Sequence, residues 1–349
     1  MNRTDLVVLT NEQVSDLLSP ADAFGALEQA YRDLGSGRAV NRPRSWAHVS
    51  QSEPDSVYQL VTMDGGSGPG GYFGTRLLSH VLSRRRVMGP GRARSGDGQG
   101  GRFSGLIIAF DVEDGQPLVI VPQDAISTLR LAATSALAAQ YLARPDSRVL
   151  GVLGSGRHAT GHAIALAQRY KLSEIRVFSP NPEHRRRFGD RVTELTGVPV
   201  APAATAQEVA DCDILVAATN ASAPVFEAQW IKSGTCAISI NLHEYPSDMA
   251  TRAHIVVVKG KQAGLKFAAP EVIDIPQMRE IPEDAWNRWP DLADLIVGAV
   301  SGRTDSDEIA FFLNNEGLGM EFVALAACAY KNAVERGVGH RVPREWFLA

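Results

Sequence analysis

The chain is poor in cysteine. Its 349 residues hold three, Cys212, Cys236 and Cys328, far apart and without C-x-x-C spacing. That excludes a disulfide framework and a thiolate metal site, and it reads as free buried thiols in a reducing compartment. No apolar run approaches the ~20 residues that cross a bilayer, so no membrane partner is expected. Met1-Asn2-Arg3-Thr4-Asp5 lacks an apolar signal core, and a cytoplasmic location is expected. Excess positive charge is missing too. Lys and Arg number 35 against 39 Asp and Glu, a net charge of -4, which argues against a nucleic-acid partner. Among the histidines, His48, His80, His158 and His162 show no metal-ligand spacing to carboxylates, so no metal is expected. There is no internal repeat. What remains is an ordinary globular composition, 44% hydrophobic and 21% charged, in a chain long enough for two domains.

Residues 11–36 read as a helix pair, with Ser19-Pro20-Ala21-Asp22 as a cap-and-proline start. Extended segments follow over 40–63, and Gly65 to Gly71 reads as a glycine-rich turn. Residues 84–102 hold six arginines, six glycines and one acid, a composition expected to form a mobile loop, or a lid for a multiply anionic substrate. Gly105 to Asp111 and Pro117 to Val121 are strands joined by an Asp114-Gly115 turn. Ser127 to Ala143 is a long alanine-rich helix, expected to connect two domains. Beyond it the rhythm is βαβ, with strands at 149–153, 174–179, 212–220, 235–241 and 254–259. This alternation implies a parallel sheet with ligands at the strand C-termini. The last helix, Gly319 to Arg336, has no strand of that sheet to serve and is expected to return to the first domain.

The strongest chemical signal is Gly154-Ser155-Gly156-Arg157-His158-Ala159 after the apolar run Val149 to Leu153. A strand, a glycine turn and a helix start are the elements that seat a dinucleotide pyrophosphate on a helix N-terminus. An acid at the end of the second strand would favour NAD by bonding the adenine ribose 2′-hydroxyl. Ser179-Pro180-Asn181-Pro182 stands there instead, and Arg185, Arg186 and Arg187 follow. Neutral groups with guanidinium nearby suit a 2′-phosphate, so NADP(H) is favoured and NAD(H) remains possible. Thr219 and Asn220, ending a later strand, and Thr134 in the alanine-rich helix complete the expected cofactor contacts.

Arg44, Arg76 and Arg130 stand in structured or apolar settings ahead of the dinucleotide fold and suggest bidentate capture of a carboxylate. At this point the chain resembles the ornithine cyclodeaminase/mu-crystallin family. The resemblance rests on Pro43-Arg44, Gly74-Thr75-Arg76, Asp111 to Gly115, and Leu129-Arg130-Leu131-Ala132-Ala133-Thr134-Ser135-Ala136. The glycine fingerprint directly behind that helix, Ala218-Thr219-Asn220, Gly234-Thr235 and Gly317-Leu318-Gly319-Met320-Glu321 agree. It implies a homodimer whose N-terminal domain binds substrate, and chemistry at an amino-acid α-carbon or an imino-acid C=N. Arg44 and Arg130 match the family's carboxylate-binding arginines.

Two positions depart from the family pattern. Arg76 stands where the family has a lysine, and arginine cannot exchange its proton near neutrality. The family's aspartate aligns with His243 or Glu244. Without that pair, ornithine cyclodeamination itself is disfavoured, while hydride chemistry stays open with His243 as proton donor.

The expectation is therefore an α/β chain with a Rossmann-type NAD(P)-binding domain at 129–314. An α+β substrate and dimerisation domain would be formed by 1–128 and 315–349. The expected function is NAD(P)-dependent oxidation or reduction of a C–N bond in a small carboxylate-bearing amino or imino acid. His243 and Arg76 would be catalytic. The alternatives are a lyase with catalytic NAD and a non-catalytic NADP-dependent ligand binder.

Overall fold

The computed structural model describes residues 5–52, 56–68, 70–83, 104–261, 283–315 and 317–347. The arginine-glycine stretch at 84–102 lies outside the described residues. The chain divides into two compact units, and the cut in the alanine-rich helix Asp124–Leu142 falls after Arg130.

The first unit takes the chain through Arg130 and resumes at Gly317. Its sheet has eight strands: β1 (Asp5–Val8), β2 (Ala39–Asn41), β3 (Ser45–Ser50), β4 (Ser56–Ser67), β5 (Tyr72–Ser83), β6 (Ser104–Asp111), β7 (Pro117–Pro122) and, from the C-terminal end, β15 (His340–Pro343). The order is β15-β1-β7-β6-β5-β4-β2, with β3 also on β4. All pairs are antiparallel except β1 with β7. Strand β4 alternates as its period of two requires, burying Val57, Gln59, Val61 and Met63 on one face. Against this sheet pack the C-terminal helix Gly319–Arg336 and the helix Pro20–Gly35. The latter starts on a capping box in which Ser19 and Asp22 satisfy each other's backbone amides.

Gly65 and Gly66 belong to β4, and the turn expected over 65–71 is confined to the residues after Ser67. Their glycines serve close approach. A Cβ on Gly65 would lie 2.5 Å from the backbone nitrogen of Met320, and one on Gly66 2.1 Å from the carbonyl of Tyr72.

The second unit is a seven-stranded parallel sheet. Its strands are β8 (Val149–Leu153), β9 (Glu174–Phe178), β10 (Val200–Pro202), β11 (Ile214–Ala217), β12 (Cys236–Ser239), β13 (Ile255–Val258) and β14 (Ala310–Leu313), in the order β10-β9-β8-β11-β12-β14-β13. Strands β11, β12 and β14 are buried on both faces, which explains their continuous apolar character. Strand β14 was not foreseen from the sequence. It enters between β12 and β13, so the strand of this sheet that comes last in the chain is not at its edge.

Candidate functional site

In the second unit, β8 turns through Gly154 into the helix Arg157–Arg169. Gly154 has φ +114, a conformation that L side chains rarely adopt, and a Cβ there would lie 2.3 Å from the carbonyl oxygen of Ala218. Gly156 is the helix N-cap; it supplies no side-chain cap, and the first turn carries no acid. A Cβ on Gly156 would meet nothing within 4 Å. This helix N-terminus thus has room beside Gly156 and no acid in its first turn at the positive end of the helix dipole, an arrangement that fits a dinucleotide pyrophosphate. Ser155 and His158 are half-buried, Arg157 is exposed and Ala159 is buried in the helix–sheet contact.

Ser179, the first residue past the neighbouring strand β9, is buried. Asn181 caps the next helix, its Oδ1 accepting from the amide of Glu183 at 2.9 Å. Arg185 is half-buried; its guanidinium donates to the carbonyl of Ala203 at 2.8 Å and lies over the Phe178 ring at 5.3 Å. Arg186 and Arg187 bind Glu183 on the exposed helix face, leaving Arg185 as the arginine nearest the strand end. Thr134 is fully buried on the alanine-rich helix, and Thr219 and Asn220 follow β11.

Strand register sets the level of these groups. Leu153 pairs with Ala217, Ala217 with Ser239, and Ser239 with Leu313. Gly154, Ala218, Ile240 and Asn314 are thus the first residues past one aligned sheet edge. Beside that edge stands Glu244, fully buried. It accepts from the backbone amide of Thr219 and lies 3.4 Å from the Ser239 hydroxyl. Burial pushes its carboxyl up to about 7, while the hydrogen bonds from Thr219 and Ser239 act in the opposite direction. His243 is half-buried, and its backbone amide donates to Asn241 Oδ1 at 3.3 Å. Of the two residues that the sequence leaves open, Glu244 is the fully buried one.

In the first unit, Arg44, Arg76 and Arg130 line one cavity of about 170 Å³. Trp46, Gln59, Met63, His80 and Phe322 complete much of its wall. Arg130 pairs with Glu321 at 3.0 Å, and Glu321 also accepts from the Tyr31 hydroxyl at 2.9 Å and the amide of Leu318 at 3.0 Å. Arg76 donates through Nε to Gln123 and through a terminal nitrogen to Met63 Sδ at 3.1 Å. The Phe322 ring carries both guanidiniums, with Cζ of Arg130 at 4.7 Å and of Arg76 at 5.1 Å from its centroid. Burial together with Arg76 and His48 lowers the pKa of His80, so it stays neutral beside the arginines. Phe322 and Gln123 carry no sequence signal of their own, and Glu321 only as part of the Gly317–Glu321 stretch; they matter because the fold sets them against the arginines.

Fold and site together define a Rossmann-type α/β protein with a second, α+β unit. The chain belongs to the ornithine cyclodeaminase/mu-crystallin family, whose model matches residues 4–337. It is 30% identical to a Delta(1)-pyrroline-2-carboxylate reductase of Bacillus cereus over 69% of this chain and 74% of that one. It is 26% identical to an alanine dehydrogenase of Archaeoglobus fulgidus over 97% of this chain and 98% of that one. The Delta(1)-pyrroline-2-carboxylate reductase of Thermococcus litoralis, solved with NADH and L-proline, shares the fold with a TM-score of 0.79 at 24% identity, covering 97% of this chain and 100% of that one. Among the described residues no helix is long and apolar enough to cross a membrane.

Proposed function

We propose that the protein is an NAD(P)-dependent oxidoreductase that reduces the C=N bond of a small carboxylate-bearing imino acid, or runs the reverse oxidation at an amino-acid α-carbon. The observation that carries this reading is the convergence of Arg44, Arg76 and Arg130 on one cavity. Such a wall binds an anion through charge-assisted, bidentate hydrogen bonds. The reductase and dehydrogenase activities named for its relatives point the same way.

The loop Gly154-Ser155-Gly156, with Arg157, His158 and Ala159 opening the helix, would hold the dinucleotide. Ser179, Asn181 and Arg185 would hold its adenine ribose, and Thr134, Thr219 and Asn220 its other half. No acid stands at Ser179-Pro180-Asn181, so we assign NADP(H) ahead of NAD(H). When bound, the nicotinamide supplies or accepts the hydride. Arg44, Arg76 and Arg130 hold the substrate carboxylate; Glu321 and Phe322 hold Arg130, and Gln123 and Phe322 hold Arg76. Arg76 cannot move a proton, so the proton at the substrate nitrogen is exchanged by Glu244, whose raised pKa suits the task, with His243 as the second candidate. The first unit is assigned to substrate binding and to dimerisation. The thiols of Cys212, Cys236 and Cys328 are free, which suits the reducing cytoplasm.

The test is direct. Purified protein is mixed with NADPH or NADH and a panel of cyclic and linear imino acids, and the absorbance of the reduced nicotinamide is followed. Consumption of NADPH with at least one imino acid is expected, with weaker binding of NADH. Product formation without net cofactor change would instead mark a lyase. No turnover of any panel member in either direction would overturn the oxidoreductase reading, and equal or tighter binding of NADH the NADP assignment.

A further inference from the structure

The end of β14 holds an asparagine that its surroundings only half satisfy. Asn314 is fully buried. Its Nδ2 donates to the carbonyl oxygen of Leu131 at 2.9 Å and to Ser135 Oγ at 2.8 Å. A carbonyl oxygen can only accept, so the nitrogen must lie on that side and the amide cannot be flipped. Ser135 is itself oriented. Its hydroxyl lies 2.9 Å from His162 Nε2, and His162 Nδ1 lies 2.7 Å from the carbonyl of His158. The His158 carbonyl again requires the proton on Nδ1, so Nε2 accepts from Ser135, and Ser135 accepts from Asn314. Both amide hydrogens of Asn314 are thereby used inside the unit. Its Oδ1 is buried and has no hydrogen-bond partner among the described residues. Leaving such a buried acceptor unsatisfied is costly, which favours a donor reaching it. Asn315, next in the chain, also carries a buried Oδ1 without a partner, so this strand end is rich in acceptors.

Its place in the sheet says what could satisfy it. The backbone amide of Asn314 donates to the carbonyl of Ser239 at 2.8 Å, which fixes it at the same sheet edge as Gly154. From β8 to β14 are three strand steps, each of about 4.8 Å. The adenine side is the opposite one, beyond β8 toward β9 and Ser179. Asn314 therefore stands on the nicotinamide side. A nicotinamide carries one group rich in N–H, its carboxamide.

We propose that Asn314 accepts a hydrogen bond from the nicotinamide carboxamide N–H through Oδ1, held in that orientation by Leu131 and by the Ser135–His162 chain. This rests on the dinucleotide reading above. It makes Asn314 a cofactor-contacting residue and Ser135 and His162 positioning residues.

Calorimetric titration tests it without turnover. Three ligands are compared: the preferred dinucleotide, its acetylpyridine analogue (a methyl replaces the amide nitrogen), and the matching ADP-ribose form that lacks the nicotinamide. The natural protein should bind the analogue about tenfold more weakly than the dinucleotide, about 1.4 kcal/mol. Asn314→Leu should bind the dinucleotide about tenfold more weakly, leave the ADP-ribose form unchanged and no longer distinguish amide from methyl ketone. If Asn314→Leu does not fold, Asn314→Ser gives the same comparison. Equal affinity of the natural protein for dinucleotide and analogue overturns the proposal. So does a variant that weakens all three ligands alike, weakens none, or keeps the discrimination. Failure of the natural protein to bind any of the three overturns the dinucleotide reading with it.

Discussion

A guanidinium at position 76 keeps its proton at any working pH, so the proton chemistry falls to other side chains. Glu244 is the buried carboxyl whose pKa is pushed up to about 7. As general acid–base it would contribute about 10²–10⁴ in rate. Glu244→Gln should therefore lower kcat/KM by about that factor and erase the limb of the pH profile near neutrality. His243→Ala should leave that limb in place. A limb that survives in Glu244→Gln and vanishes in His243→Ala would reverse the assignment. The same carboxyl gives a stability signature. Its folded pKa lies above the ordinary value of 4.5, so the folded protein binds the extra proton between that value and about 7. Its contribution is full at the acid end of this window and is lost as pH rises through it. Chemical denaturation of Glu244→Gln should show a flatter pH dependence there than the natural protein. In the anion cavity, Phe322 holds two arginines by its ring faces alone. Phe322→Leu keeps the apolar volume but not the attraction, worth about 0.5–2 kcal/mol per contact. It should raise KM for the imino acid by about three- to thirtyfold with little change in kcat. A fall in kcat at constant KM would show that Phe322 acts elsewhere.

At the scale of elements, the glycine loop separates two roles that the motif alone runs together. Gly154 is required by the fold, with φ +114 and the Ala218 carbonyl against it, whereas Gly156 borders open space. Gly154→Ala should lower both stability and cofactor affinity. Gly156→Val should leave the midpoint of denaturation within about 0.5 kcal/mol while weakening dinucleotide binding at least about tenfold. Equal dinucleotide affinity in Gly156→Val would remove the pyrophosphate from this loop. These elements were legible in the sequence because each rests on local chemistry: the cap-and-proline start at Ser19, the glycine fingerprint, and the period of the helix Gly319–Arg336. Less legible were elements that depend on distant partners. Strand β14 is four residues long and becomes a strand by pairing β12 on one side and β13 on the other. Gly65 and Gly66 read as a turn because nothing in the sequence announces that the backbone of Met320 approaches the first and that of Tyr72 the second. The site divides the same way. Its arginines stood out as charges in apolar settings, whereas Glu244 gains its character only from burial against Thr219.

At the scale of the whole molecule, the first unit presents a second sheet face, opposite the one its helices cover. Strand alternation puts Val49, Tyr58 and Val81 in one cross-strand row and Leu77 beside Leu106 in another. Phe110 lies opposite Phe73 on that face. Val49, Val81, Leu106 and Phe110 are 57%, 46%, 41% and 37% exposed, high values for apolar side chains grouped on one antiparallel sheet. Single exposed apolar residues need no partner, but a contiguous face of them marks an association surface. A second copy of the chain offers the same face, and two such faces related by a twofold axis are self-complementary. This is the surface on which the proposed homodimer would form. A glutamate at its centre would place a charge on each side of the symmetry axis, unpaired and desolvated. Leu106→Glu should therefore convert a dimer to a monomer in size-exclusion chromatography with light scattering at micromolar concentration. Far-UV circular dichroism should be unchanged, because Leu106 contributes nothing to the buried core on the helix-covered side. A natural protein that runs as a monomer at every concentration, or a Leu106→Glu variant that remains dimeric, would show that this face is not the interface between copies.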